Sequence, residues 1–357
     1  MQALSTAELF CRGLDEPPVL FEESLGARKV VLNRPSRLNS ITFEMASQMI
    51  RKLRIYEDDH TANLVILKGN GQAFCSGGDL ISNMCFMLTG HWSFGAIAYK
   101  KLLTLTYLIA SYKKPLVCLI DGIVMGSGAG ISMYGSFRVV TDNTVFAMPE
   151  ASIGLFPDVG ASHFLSKLPG YFGEYVGLTG ARLNGATMLA CGLATHFVFS
   201  KDLPSLEHAL SSVDSSNASE ILSVIDKFAQ KTNTKEEDFH KRLKSINKCF
   251  SRQTVEGILH SLEKELVDNL TEKWIADAVN NMKSASPTSL KIFLRSGSRA
   301  MLFDKDKKPK WDPPKLELVR ADMVDMVFKP LEDDDDWNCL QLPARSFDLL
   351  DHTRSKL

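Results

Sequence analysis

The sequence predicts an α/β domain of repeated strand-turn-helix units followed by an all-helical C-terminal region. Three observations carry that reading. From residue 15 to 200, short apolar runs alternate with stretches whose apolar residues recur at helical spacing. The apolar runs end at Gly, Asn or Pro, the residues that punctuate chain direction. Beyond about residue 200 the strand signals stop and only helical patterns continue. The chain therefore divides into a core at 15–200 and a helical region at 201–357.

The elements of the core follow in order. Val30-Val31-Leu32 is a short strand ended by Asn33-Arg34-Pro35. Phe43 to Tyr56 places Met45, Met49, Ile50 and Leu53 on one helical face. Leu64-Val65-Ile66-Leu67 reads as a buried strand, ended by Gly69-Asn70-Gly71. Ile97 to Tyr112 is a mostly apolar helix stopped before Pro115, and Leu116 to Ile120 is a second buried strand. A helix is expected from Gly130 to Tyr134, after the glycine-rich turn; Phe137–Val140 and Thr144–Ala147 are short strands. In the second region helices are expected at 221–229, 236–246, 254–268, 271–282 and 287–294. Lys305 to Pro314 is charged and Pro-rich and reads as loop, and Asp333 to Asp336 as a solvated acidic run.

Bulk properties exclude several classes. The 357 residues carry a formal net charge of −1, which gives no reason to expect nucleic acid or an anionic membrane as partner. The seven cysteines are scattered with no C-x-x-C pair, so neither a disulfide framework nor a zinc site is expected. No apolar stretch approaches the roughly 20 residues that span a bilayer, and the N-terminal segment lacks a basic run followed by an apolar core. Ser355-Lys356-Leu357 is the tripeptide read by the peroxisomal import receptor, which predicts that receptor as a partner and the peroxisome as the location.

The chemistry is concentrated in three segments. Glu150 and Asp158 lie in Met148-Pro149-Glu150-Ala151-Ser152-Ile153-Gly154-Leu155-Phe156-Pro157-Asp158, a stretch otherwise apolar and rich in Gly and Pro. A carboxyl group among Met, Ile, Leu and Phe has its pKa raised by desolvation, which suits acid/base work. Upstream, Ser76-Gly77-Gly78-Asp79 and Gly126-Ser127-Gly128-Ala129-Gly130 are turns able to present bare backbone N–H groups to a developing oxyanion. Two donor turns and two acids describe acyl chemistry on a thioester or ester. Ordinary readings exist for each: tight turns for the glycines, a helix N-terminal charge for Glu150, a turn residue after Pro157 for Asp158. The Gly126–Gly130 run has neither the G-x-G-x-x-G spacing of a dinucleotide site nor the G-x-S-x-G of a nucleophile elbow. His163 and His196 are expected to be structural.

With those residues in view, the chain resembles the crotonase (enoyl-CoA hydratase/isomerase) superfamily, in its 3-hydroxyisobutyryl-CoA hydrolase branch. The resemblance is carried by Leu32-Asn33-Arg34-Pro35 with Leu38-Asn39, by Ala73 to Asp79, by Asp121 to Gly130, and most specifically by Phe146-Ala147-Met148-Pro149-Glu150 through Asp158-Val159-Gly160-Ala161-Ser162. Leu178 to Leu183 and Cys191 to His196 extend it. It implies a crotonase-like spiral of ββα repeats and an acyl-CoA thioester hydrolase, with 3-hydroxyisobutyryl-CoA of valine breakdown as the substrate. It implies an oxyanion hole from the N–H groups of Gly78 and Ser127. Position 127 is usually Gly in the family, so Ser is expected to point away from the acyl group. Glu150 would activate water or attack the thioester itself, and Asp158 would hold the substrate 3-hydroxyl or assist proton transfer. Coenzyme A would be part of the substrate and not a cofactor. Its adenine would lie by the backbone of Ser76, its phosphates by Arg34 or Arg37, with Gly77, Asp79 and Gly126 also lining the site.

Three departures from the family pattern bear on activity. Hydratases carry a second glutamate where this chain has Gly130, so water addition across a double bond is disfavoured. The helix before Lys114-Pro115 lacks the acid that hydrolases of this branch carry. The chain also passes directly from Leu294-Arg295 to Ser298-Arg299-Ala300, where relatives have several dozen more residues, which predicts an internal deletion near 295–299. A hydratase or isomerase, or an inactive crotonase-fold protein, are the alternatives, and a homo-oligomer is left open.

Overall fold

A computed structural model describes residues 16–88, 92–232, 236–268, 272–292, 315, 318–320 and 323. The join at 295–299, the 305–314 loop, the acidic run at 333–336 and the tripeptide at 355–357 all lie outside the described residues.

The core opens with a hairpin. Strand β1 (Val19–Ser24) pairs antiparallel with β2 (Ala27–Leu32). Helix α1 (Phe43–Asp58) follows, its first turn capped by Thr42, whose hydroxyl accepts from the Met45 N–H at 3.2 Å. Next come β3 (Leu64–Gly69), β4 (Ala73–Cys75), α2 (Leu80–Leu88) and α3 (Trp92–Ala110). The pattern repeats with β5 (Leu116–Ile120), β6 (Ile123–Met125) and α4 (Ser127–Ser132). It repeats again with β7 (Phe137–Val140), β8 (Val145–Ala147), a 3-10 turn at Glu150–Ile153, α5 (Ala161–Leu165) and α6 (Phe172–Thr179).

Within each coil the two strands go to different sheets. β3, β5 and β7 join a six-stranded sheet of order β1-β2-β3-β5-β7-β10, closed by β10 (His196–Phe197). β4, β6 and β8 join a four-stranded sheet of order β4-β6-β8-β9, closed by the antiparallel β9 (Leu183–Asn184). The result is the expected spiral of ββα coils. Because β4, β6 and β8 are mutually parallel neighbours, their C-terminal ends lie along one edge. The three segments that follow those ends are the three singled out from the sequence.

Side-chain alternation buries the large sheet on both faces. Leu32, Val65, Leu67, Cys118 and Ile120 face a core shared with Met45, Met49 and Leu53 of α1 and Leu105 of α3. Leu64, Ile66, Val117, Leu119 and Val139 face the other way. They are covered by Leu206 and Leu210 of α8 (Leu203–Ser211) and by Ile221 and Ile225 of α9 (Ala218–Asp226), after a short α7 (Gly185–Ala190).

The helices beyond 226 are α10 (Glu236–Phe250), α11 (Val255–Asp268), α12 (Lys273–Ser284) and α13 (Pro287–Ile292). Ile275, Ala278, Val279 and Met282 of α12 belong to the same core as α1 and α3. The Asn281 side chain donates to the Thr179 carbonyl at 3.0 Å, tying α12 to α6.

Several expected helices are displaced: the one predicted from Ile97 begins at Trp92, and the one predicted at 221–229 lies at Ala218–Asp226. The helix predicted from Gly130 begins at Ser127, inside the glycine-rich run. The run coils because α4 lies against β4: a Cβ on Gly128 would collide with the Cys75 backbone, so packing overrides the poor helix propensity of Gly.

Candidate active site

The first donor turn is held from outside its own segment. The chain after β2 runs alongside it: Ile41 N–H donates to Gly77 O at 2.8 Å, Asp79 N–H to Ile41 O at 2.8 Å, and Ser76 N–H to Leu38 O at 2.9 Å. These bonds engage the Ser76 and Asp79 N–H groups and the Gly77 carbonyl, and leave the Gly78 N–H with no acceptor among the described residues. Asn39, fully buried, supports this clamp. Its side chain donates to Asn70 O at 2.9 Å and Ala73 O at 2.7 Å and accepts from Arg34 N–H at 2.8 Å. Asn39 and Ile41 are positioning residues that the sequence reading did not find; Asn39 stood only within a resemblance motif, and nothing local marks Ile41.

The second donor turn is α4 itself. Gly126 has φ +51, a conformation that favours glycine. A Cβ there would also lie 2.9 Å from Glu150 Oε1. Ser127 opens α4, so its N–H has no intrahelical acceptor. The two turns meet: a Cβ on Gly77 would lie 3.8 Å from Ser127 N, and one on Gly78 would lie 3.4 Å from Ser127 Oγ. The Ser127 side chain is thus turned toward Gly78. Asn83 of α2 and Leu102 of α3 approach the same spot, at 3.8 and 3.9 Å; neither was anticipated.

Glu150 follows β8 through Met148 and Pro149 and is 6% exposed. Its Oε2 has no hydrogen-bond partner. Burial pushes its carboxyl up from 4.5 to about 8. The turn is fixed by Leu155 N–H to Glu150 O at 3.0 Å and, from the helical region, by Ser286 N–H to Ala151 O at 3.2 Å.

Asp158 is half-buried, and desolvation pushes its carboxyl up to about 7. Ala161 N–H donates to its carbonyl at 2.7 Å, and the Tyr134 hydroxyl donates to Gly160 O at 2.8 Å. Between them Val159 has φ +46 and presses on Gly130, where a Cβ would lie 2.6 Å from that of Val159. Gly126 and Gly130 are one helical turn apart, joined by a 3.0 Å bond. Glu150 therefore meets α4 at its start and the Asp158 loop meets it a turn later.

The structure brings Gly77, Gly78, Gly126, Ser127 and Glu150 together. It gives Arg34 and Asp79 a different employment. Arg34 pairs with Asp79 at 3.0 Å and donates to Ser40 O at 2.7 Å, while Asp79 accepts from Ser82 N–H at 3.1 Å at the start of α2. Arg37 is exposed and makes no ion pair among the described residues. Ser76 is half-buried beside that clamp. The Cys75 thiol is buried and pushed up to about 12, which removes it as a nucleophile. His163 stacks on Tyr134 with ring centroids 5.4 Å apart, and His196 Nδ1 lies 2.8 Å from Thr195 Oγ1. A cavity of about 460 Å³ adjoins the Glu150 turn through Pro149 and Ala151; Tyr175, Arg242 and Trp274 line its far side.

The model of one family, enoyl-CoA hydratase/isomerase, matches residues 27–298. The chain belongs to this family. It is 45% identical to probable 3-hydroxyisobutyryl-CoA hydrolase 3 of Arabidopsis thaliana, over 92% of this chain and 96% of that one. It is 36% identical to small ribosomal subunit protein mS47 of the same plant, over 92% and 89%. Among solved structures, a carnitinyl-CoA dehydratase from Mycobacterium thermoresistibile superposes with a TM-score of 0.79 at 28% identity, covering 89% of this chain and 98% of that one.

Proposed function

We propose that this member of the enoyl-CoA hydratase/isomerase family hydrolyses a short 3-hydroxyacyl-CoA thioester, 3-hydroxyisobutyryl-CoA first of all. The observation that carries the reading is a buried carboxyl group, Glu150, set against the turn that opens α4, with two unbonded backbone amides beside it. The substrate is the one named in the 45%-identical relative.

In this reading the thioester oxygen accepts from the N–H groups of Gly78 and Ser127. Water adds to the carbonyl carbon and its proton passes to Glu150. The C–S bond then breaks, the thiolate takes up the proton, and free CoA and a hydroxy acid leave. Direct attack by Glu150 and hydrolysis of the resulting anhydride gives the same products. One donor of this kind is typically worth about 3 kcal/mol of barrier. Asp158 holds the substrate 3-hydroxyl. The adenine lies along Ser76 and Gly77, and the phosphates meet Arg37, since Arg34 is committed to Asp79. Coenzyme A is substrate, and no separate cofactor is required.

Water addition to an enoyl-CoA is the weaker reading, because the place of a second acid is filled by Val159 packed on Gly130. A non-catalytic reading is favoured by one observation, the relative named as a ribosomal subunit protein. A thiol-release assay with 3-hydroxyisobutyryl-CoA decides among these: the chain should release thiol and Glu150→Ala should not. Equal rates would remove Glu150 from the mechanism, and no thiol from either would favour the non-catalytic reading. A role in valine breakdown, resting on the substrate of the relative, and a place in the peroxisome, resting on Ser355-Lys356-Leu357, complete the proposal. A tagged chain should enter peroxisomes and lose that location when the three residues are removed.

A further inference from the structure

The backbone of Ser127 supplies one donor, but its side chain has no evident structural duty. The residue is 7% exposed, yet its hydroxyl makes no hydrogen bond among the described residues. Two other buried hydroxyls make such bonds. Ser132 Oγ, in the same helix, donates to Gly128 O at 2.7 Å, and Thr144 Oγ1 donates to Ile120 O at 2.7 Å. Unlike Glu150 Oε2, the Ser127 Oγ is not sealed from solvent, so a bound ligand can reach it.

Its direction supplies a role. Ser127 Oγ lies 3.4 Å from where a Cβ of Gly78 would stand, so the hydroxyl sits between the residues that bear the two free amides. The residue before it, Gly126, is the one against which Glu150 Oε1 rests. We propose that the Ser127 hydroxyl is a third hydrogen-bond donor to the thioester oxygen, acting beside the amides of Gly78 and Ser127. As negative charge builds on that oxygen, the O–H···O bond shortens and strengthens. The proton stays on Oγ throughout, and no covalent bond forms to the serine. Ser127 is then a catalytic residue as well as a turn residue. This inference rests on the thioester-hydrolysis reading.

The test uses the full chain with Ser127→Ala and Ser127→Gly, which both keep the backbone N–H and remove only the hydroxyl. With 3-hydroxyisobutyryl-CoA, kcat should fall about ten- to hundredfold in both, with KM changed less than about twofold. Ser127→Thr, which restores a hydroxyl, should recover most of that loss, and this recovery separates a donor from a packing role should one truncated variant fold poorly. A Ser127→Ala enzyme with kcat within about twofold of the parent overturns the inference. So does a Ser127→Gly enzyme that merely accepts bulkier acyl groups at unchanged kcat, since the serine would then act as a wall. An unaltered chain that releases no thiol sinks the hydrolase reading and this inference together; an active chain indifferent to Ser127→Ala sinks this inference alone.

Discussion

Val159 holds a left-handed backbone, φ +46, and its side chain fills the space over Gly130, so that a Cβ on Gly130 would stand 2.6 Å from its own. A β-branched residue in that region is strained, and strain of this kind persists only where the surroundings impose it. The contact decides what position 130 can hold. Gly130→Glu is expected to destabilise the fold by about 1–3 kcal/mol through overpacking and to confer no hydratase activity. Chemical denaturation and an assay for hydration of an enoyl-CoA check the two parts. A stable variant that hydrates would show that the contact is not a barrier.

Glu150 makes stability depend on pH in a definite direction. Its carboxyl ionises near 4.5 when unfolded and near about 8 in the native site. Between those values the unfolded chain has lost this proton and the native chain has kept it, so stability falls as pH rises across that window. Glu150→Gln removes this share of the dependence and leaves the part that Asp158 contributes below about pH 7. The variant should match the parent near pH 4.5 and exceed it by about 2–5 kcal/mol at pH 9. Unfolding midpoints of the two proteins between pH 5 and 9 measure the gap. A gap that does not widen with pH contradicts a desolvated Glu150.

In the proposed mechanism the same ionisation governs the rate. A base or nucleophile must be deprotonated, so kcat/KM should climb with pH through a midpoint of about 8, the value for Glu150, and level off above it. Asp158 adds a step near about 7. Asp158→Asn should lower the plateau and abolish the step near 7 while leaving the one near 8. A profile flat from pH 6 to 9 would place the rate elsewhere.

Arg34 is expected to act through position and not through phosphate. It binds Asp79 and the Ser40 carbonyl, and both flank the clamp on Gly78. Removing one member of a half-buried pair leaves the other unpaired, so Arg34→Met should cost about 1–3 kcal/mol of stability. It should lower kcat more than it raises KM. A large rise in KM for CoA thioesters with unchanged kcat would return Arg34 to the phosphates.

Much of this architecture was legible in the residues. Met45, Met49, Ile50 and Leu53 mark α1 by spacing alone, and the uninterrupted Leu64–Leu67 run marks a strand buried on both faces. β4 and β6, at three residues each, are too short to show a period. The start of α4 was misjudged because its glycines coil only against the Cys75 backbone. Within the site, the two acids stood out as charges in apolar sequence. The freedom of the Gly78 amide did not, because it depends on Ile41, 37 positions earlier, drawing off its neighbours. The direction of the Ser127 hydroxyl is likewise a property of two segments meeting.

The placement of successive strands in different sheets has a further consequence. The amide of Gly78, the amide of Ser127 and the carboxyl of Glu150 are delivered by three consecutive windings, each seated on the one before through β4, β6 and β8. If these groups act as proposed, no excised segment could retain the chemistry, since the Gly78 turn is held by the chain after β2 and the Glu150 turn by the helical region. Loss of register in any single winding would disarm the whole, so a partly unfolded chain should be inert well before its helices have melted.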